Sequence, residues 1–257
     1  MSNSKYILEV TNVSKNFGGL RAINQLSLKV ENGLIFSIIG PNGAGKTTAI
    51  NLITGIYPPT SGEIFFQGQN LSKKRPFQLA YMGIGRTFQN IQVFCHMTVR
   101  ENIMVGLHTK SLCGFLKCLF YTPMVWNEEK RIREKTDTVL NFLDLEQKAD
   151  ARVDELPYGD QKRVEIARSL AMGPKLLLLD EPVAGLNLQE TEEMAQAILK
   201  IKKMGVTVIL VEHDMNLIMG ISDMITVLNY GEKIAEGDAQ AVRNNPKVIE
   251  AYLGKEL

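Results

Sequence analysis

Apolar and polar positions along the chain fall into two periods, strand-like and helix-like, that follow one another in turn. Residues 6–13 (YILEVTNV) and 26–30 (LSLKV) alternate as half-buried strands do. Residues 34–39 (LIFSII) form a continuous apolar run ending at Gly40, the mark of a strand buried on both faces of a parallel sheet. A glycine-rich turn follows, and residues 47–54 are predicted as a helix. Residues 64–67, bounded by Gly62 and Gly68, are a further strand. Two more buried-strand runs, residues 176–179 and 206–211, are separated by a helix from about Gln189 to Met204. Residues 225–228 and 233–235 flank a turn containing Gly231 and predict a hairpin. Residues 246–253 read as a short helix with proline in its first turn.

The stretch from 97 to 172 differs. It has few strand signals, and residues 128–145 place Ile132, Val139, Leu140 and Leu143 at amphipathic-helix spacing among charges. The expectation is a single α/β domain, with 1–96 and 173–257 forming the core and 97–172 an inserted helical subdomain.

Composition narrows the classes. With 257 residues, 45% apolar and 22% charged, the chain buries a substantial core and is not disordered as a whole. A net charge of +1 gives no electrostatic case for nucleic acid or acidic lipid. Cys95, Cys113 and Cys118 fit no zinc spacing, and free thiols in a reducing cytosol are the simpler reading. The N-terminal MSNSKYILEV lacks a signal-peptide layout, and no run approaches the roughly 20 apolar residues of a membrane span. The nearest candidate, residues 111–126, is short and is broken by Lys117 and Pro123.

Candidate chemistry begins at the glycine-rich turn. Gly40-Pro41-Asn42-Gly43-Ala44-Gly45-Lys46-Thr47, followed by Thr48, satisfies G-x-x-x-x-G-K-[ST] between a buried strand and a helix. Glycines there let backbone N–H groups converge on an anion, and the helix points its positive end at it. Lys46 suits the β- and γ-phosphates, and the Thr47 hydroxyl suits Mg²⁺. A cradle of this kind does not by itself separate an ATPase from a kinase or a GTPase. Asp180 and Glu181 end the run 176–179, so both carboxylates are expected in the ligand crevice at the strand C-termini. Asp180 suits a Mg²⁺ contact, often through water. Glu181 suits polarisation of the attacking water in line with the γ-phosphate. His213 closes the run 206–211 and is expected to reach the γ-phosphate and to orient Glu181 and the water.

In this order and spacing the residues resemble the ABC ATPases over nearly the whole chain. The resemblance implies a P-loop NTPase core with an antiparallel β subdomain and an inserted helical subdomain. It also implies ATP hydrolysis with ATP and Mg²⁺. Gly85-Arg-Thr-Phe-Gln89 resembles the glutamine loop, which implies Gln89 on Mg²⁺. Leu156-Pro157-Tyr158-Gly159-Asp160 resembles the signature motif, Phe17 the aromatic that stacks on adenine, and Ala184-Gly-Leu-Asn187 the D-loop. The family's switch histidine corresponds to His213. A head-to-tail dimer is implied, homo- or heteromeric, each ATP lying between one cradle and the partner's signature. Pro157 stands where the family usually has Ser, Tyr158 replaces a glycine and Asn187 replaces Asp. Either the composite site using this signature is weaker than its twin, or Gly159 carries the contact and the change is neutral.

Within the family, Phe17-Gly-Gly-Leu, Gly85-Arg-Thr-Phe-Gln-Asn, the stretch from Glu212 to Asp223 and the ending from Asn245 to Gly254 resemble the ATP-binding subunit of branched-chain amino acid importers. That likeness implies permease subunits, a second cassette, an extracytoplasmic solute-binding protein reached through the permease, and a peripheral place on the cytoplasmic face of the membrane. Related cassettes serve urea import and lipopolysaccharide export. A soluble ABC ATPase acting on ribosomes or DNA is the rival class. One cassette, no sustained heptads and near-neutral charge argue against it, and no nucleic acid partner is expected. The segment 111–126 resembles an insertion of the importer subgroup, either packed on the helical subdomain or touching the permease or lipid surface.

Overall fold

The computed structural model describes residues 5–108 and 123–253. Two compact units divide the chain: Met1–Arg86 with Lys175–Leu257, and Thr87–Pro174. The strand signals put the limits of the helical insertion at 97 and 172; the units change over between Arg86 and Thr87 and between Pro174 and Lys175.

The first unit opens with a long hairpin, β1 (Tyr6–Phe17) and β2 (Leu20–Glu31), turning through Gly18 at φ 58°. Both strands are longer than the alternation over 6–13 and 26–30 implies. The reason is local: Asn12 and Gln25 both sit at φ 47°, and the β1–β2 register shifts between Val10 and Val13 and again before Lys15. Such bulges keep the ladder but break the period of two. Backbone donors freed there are taken up across the hairpin, Asn12 N–H by Ser27 Oγ and Gln25 N–H by Ser14 Oγ, each at 2.9 Å.

β3 (Ile35–Ile39) is buried at every position and leads through the glycine turn into α1 (Lys46–Ile53). β4 (Ser61–Phe66) and the short β5 (Gln69–Asn70) complete a four-stranded sheet in the order β2-β1-β4-β5. α2 (Pro76–Met82) and β6 (Ile84–Arg86) then return the chain to the main sheet.

The remaining strands of that sheet are β7 (Leu176–Asp180), β8 (Thr207–Val211), β9 (Met224–Asn229) and β10 (Glu232–Gly237). Its order is β10-β9-β3-β8-β7-β6. All neighbours are parallel except the β9–β10 hairpin. β7 and β8, like β3, are buried throughout, which is why they read as unbroken apolar runs. One core joins both sheets and α1, with Phe36, Phe66, Ile23, Leu28 and Ile50 fully buried within it.

The second unit is helical among its described residues. α3 (Val99–His108) starts from a reciprocal cap, in which Thr98 Oγ1 accepts the Glu101 N–H and Glu101 Oε2 accepts the Thr98 N–H. α4 (Pro123–Phe142) buries Thr136 and Leu140 on one face and leaves Lys135 and Asp137 exposed. α5 (Tyr158–Ala171) packs on both. The candidate insertion at 111–126 lies outside the described residues as far as 122, and Cys113 and Cys118 with it; Cys95 is exposed with a free thiol. In the first unit, α6 (Leu188–Lys203), α7 (Met215–Ile221), α8 (Ala239–Arg243) and α9 (Pro246–Leu253) follow β7, β8 and β10. Among the described residues no helix is long and apolar enough to cross a membrane.

Candidate active site

Register alone brings three chemical groups to one edge. Val211 pairs with Ile38 on one side and with Asp180 on the other. The phosphate cradle after β3, the carboxylates ending β7 and His213 after β8 therefore leave the sheet at nearly one level, at its C-terminal edge.

The cradle is shaped by glycine where no other residue fits. A Cβ on Gly40, at φ 152°, would stand 2.1 Å from the Leu228 carbonyl oxygen, and one on Gly45, at φ 101°, would stand 2.8 Å from Ile23 Cδ1. Gly43, at φ 80°, faces open space, as backbone that approaches a ligand should. Gly45 is the N-cap of α1, with no side-chain cap and no acid in the first turn. The helix end thus keeps its N–H groups and its partial positive charge for an anion. Lys46 Nζ donates to the carbonyls of Gly40 (2.7 Å) and Pro41 (3.1 Å), which ties it to the loop. The loop is anchored in turn: Ala44 O accepts the Gly231 N–H at 2.9 Å, and Gly231 O accepts the Asn24 N–H at 2.9 Å. Thr47 is exposed on the first turn, with Thr48 half-buried beside it. This donor set fits a nucleotide polyphosphate, and Thr47 adds an exposed hydroxyl oxygen of the kind a hard cation accepts.

Asp180 is 3% exposed and is met by Arg86, whose Nη2 lies 3.1 Å from Oδ2. The other guanidinium nitrogen donates to Asn51 Oδ1 (2.6 Å) and Thr54 Oγ1 (2.9 Å). Burial raises the Asp180 carboxyl above its ordinary range, while the charges of Arg86 and Lys46 pull it back. Reading the glutamine loop from sequence passed over Arg86, since an arginine after a glycine carries no sign of a buried acid 94 residues away.

Glu181, half-buried, adopts φ 51°, a left-handed conformation uncommon for a residue with a side chain. Its N–H donates to Val211 O at 2.8 Å. His213 is largely exposed, and its Nδ1 lies 3.6 Å from Oε2 of Glu212, whose side chain is completely buried. An open cleft of about 710 Å³ runs between the loop from Val183 to Leu188 and the segment Glu212 to Asp214. Asn187, the D-loop departure, caps α6 reciprocally: its Oδ1 accepts the Glu190 N–H and its own N–H reaches Glu190 Oε2, both at 3.0 Å. Asn caps as well as Asp, so the helix loses nothing by the exchange.

At the other end of the hairpin Phe17 is 41% exposed. Tyr57 meets its ring edge-on at 5.1 Å between centroids, and Lys15 Nζ lies 5.1 Å from the Phe17 centroid. A partly exposed, braced ring suits stacking by a base.

In the second unit, Pro157 is the N-cap of α5, and Gly159 is buried behind it. Asp160 is nearly buried; its carboxylate takes the Lys148 ammonium and lies 3.7 Å from Arg163. Tyr158 is exposed, with Lys162 Nζ 5.4 Å from its ring centroid. Gln89 is exposed on a loop held by Glu165 of α5, whose Oε1 accepts the N–H groups of Phe88 and Gln92, each at 3.2 Å. Burial raises the Glu165 carboxyl, and those two donors oppose the shift.

The chain is similar to known proteins along nearly its whole length. Residues 23–184 match the family described as ABC transporter, and residues 232–257 match one described as branched-chain amino acid ATP-binding cassette transporter. A high-affinity branched-chain amino acid transport ATP-binding protein, BraF of Pseudomonas aeruginosa, is 44% identical over 98% of this chain and 99% of its own length. The ADP conformation of an ATP-binding cassette of an ABC transporter superposes with a TM-score of 0.84 at 36% identity, covering 97% of this chain and 99% of that one. A dimeric post-hydrolysis cassette bound to ADP and phosphate superposes with a TM-score of 0.76 at 27% identity, covering 90% of this chain and 98% of that one. Two signals, a P-loop cassette along most of the chain and near full-length kinship at 44% identity, converge: the chain belongs to the ABC transporter family, as an ATP-binding and ATP-hydrolysing cassette of the branched-chain amino acid transport group.

Proposed function

We propose that this chain powers import of branched-chain amino acids by hydrolysing ATP at the crevice between the cradle, Glu181 and His213. The observation that carries this reading is the shared register of Ile38, Asp180 and Val211, because it brings anion donors, acid and imidazole to one edge. The backbone from Gly40 to Gly45, with Lys46, Thr47 and Thr48, binds the phosphates, and Phe17 stacks on the base. Glu181, a residue in left-handed backbone conformation at the strand's end, orients the attacking water and accepts its proton. His213 contacts the γ-phosphate, for which its exposure leaves it free.

Thr47 and Asp180 would hold Mg²⁺. Gln89, which the resemblance assigns to the same ion, belongs to the other compact unit. The metal would neutralise charge on the β- and γ-phosphates. Burial raises the Asp180 carboxyl, and the charges of Arg86 and Lys46 offset part of that shift.

A second cassette is the natural partner, given the dimeric relative. Tyr158 and Gly159 would face the partner's ATP through the N–H groups at the start of α5, with Pro157, which has no N–H, as the N-cap before them. Asp160 takes part through its ion pairs, by holding the helix start, rather than by direct contact. Permease subunits, with an extracytoplasmic binding protein beyond them, complete the assembly, and the chain lies peripherally on the cytoplasmic face.

Glu181→Gln tests the reading. ATP affinity is expected to persist while turnover falls by about 10²–10⁴-fold, the range for a lost general base. Turnover at the native rate would refute the assignment of Glu181.

A further inference from the structure

A buried acid that the chemistry above does not use stands beside the histidine. Glu212 has a fully buried side chain, and its two oxygens face different segments. Oε1 accepts the Val183 N–H at 2.9 Å, and Oε2 accepts the His213 N–H at 3.0 Å. Val183 belongs to the loop that leaves β7 through Glu181, whereas His213 follows β8. One carboxylate therefore joins both strand ends at the cleft they line.

The position of Val183 gives this joint its consequence. Glu181 is held at φ 51°, a left-handed conformation that is strained for a residue with a Cβ. Such a residue stays put only where its neighbours over-determine it. Here the Glu181 N–H is held by Val211 O at 2.8 Å, and two residues further on the Val183 N–H is held by Glu212. Both anchors belong to the end of β8. The strained residue is thus pinned on either side to one neighbouring strand. A single oxygen would not reach both segments; the carboxylate presents one oxygen to each.

We propose that Glu212 is a positioning residue that locks the Glu181 loop and His213 into one register. It does not touch the reacting atoms. The proposal rests on the roles given above to Glu181 and His213, and its test separates the two.

Glu212→Gln and Glu212→Ala are compared with the native chain and with Glu181→Gln. The measurements are kcat and KM per folded molecule, nucleotide affinity, and the backbone amide resonances of Val183 and His213. In Glu212→Ala, kcat is expected to fall about 10–100-fold with nucleotide affinity unchanged within about threefold, as expected when reacting groups are misplaced by about an ångström. Glu212→Gln keeps one acceptor oxygen, so it should fall less and move at least one of the two amide protons upfield. A role confined to stability would lower the unfolding midpoint and leave kcat per folded molecule alone. Native kcat in both variants, or amide resonances that stay in place, would overturn the proposal. If Glu181→Gln retains turnover, the base assignment fails instead, and the amide resonances still decide whether Glu212 joins the two loops.

Discussion

Removing Arg86 is the perturbation whose size follows most directly from the structure. Its side chain is 10% exposed and that of Asp180 is 3% exposed, so Arg86→Ala strands a carboxylate in a nearly dry site. Breaking a buried pair by deleting one partner costs about 3–5 kcal/mol. Loss of the hydrogen bonds to Asn51 and Thr54 adds about 1 kcal/mol in total, since both acceptors can relax toward water. For a chain of this size the total corresponds to a fall in Tm of about 8–24 °C. The effect must depend on pH. Burial raises the folded-state pKa of Asp180, so its share of stability is complete below the unfolded value and is lost as pH rises through the folded one. Arg86 limits that loss. Without it the folded pKa moves further up, and the deficit of Arg86→Ala should widen between about pH 5 and about pH 8. Urea unfolding at both pH values, for Arg86→Ala, Asp180→Asn and the double variant, measures this. The double variant should recover much of the loss, because it leaves no buried charge. A deficit under about 1 kcal/mol, a deficit independent of pH, or no recovery in the double variant would refute the reasoning.

Further outcomes are expected at three positions. Gly40→Ala drives a Cβ to 2.1 Å from the Leu228 carbonyl oxygen, so the cradle must shift and a fluorescent ATP analogue should bind at least about tenfold more weakly. Glu165→Gln keeps the Oε1 acceptor for the Phe88 and Gln92 N–H groups and should lie within about 1 kcal/mol of native stability, whereas Glu165→Ala should lose about 2–4 kcal/mol in urea unfolding. Because burial raises the Glu165 carboxyl, its contribution is lost as pH rises through that raised value, and Glu165→Gln should gain on the native chain as pH increases. Phe17→Ala should weaken ATP affinity by about 1–3 kcal/mol, read by the same titration, with kcat at saturation little changed.

Periodicity was enough wherever burial is uniform along an element. β3, β7 and β8 are enclosed on both faces, so nothing polar interrupts their runs, and their apolar lengths match the strands to within a residue or two. The cradle was equally legible, because Gly40, Gly43 and Gly45 take positive φ angles that a residue without a Cβ adopts at no steric cost. The hairpin was harder. Asn12 and Gln25 sit at bulges, so the alternation lapses although the strands continue. α2 buries Leu79 while Phe77 and Tyr81 stay exposed, which leaves no amphipathic face to read. α3 and α7 escaped notice as well, each being short.

What the chain order could not convey is which distant groups meet. Arg86 and Glu212 look like ordinary charges, one after a glycine and one before a histidine. Parallel pairing of β6 with β7 and of β7 with β8 turns the first into the partner of Asp180 and the second into a joint between two loops. Local pattern encodes burial and backbone conformation, since both depend on near neighbours in the chain. The state of a buried charge depends on what lies within a few ångströms in space, and only the folded sheet decides that.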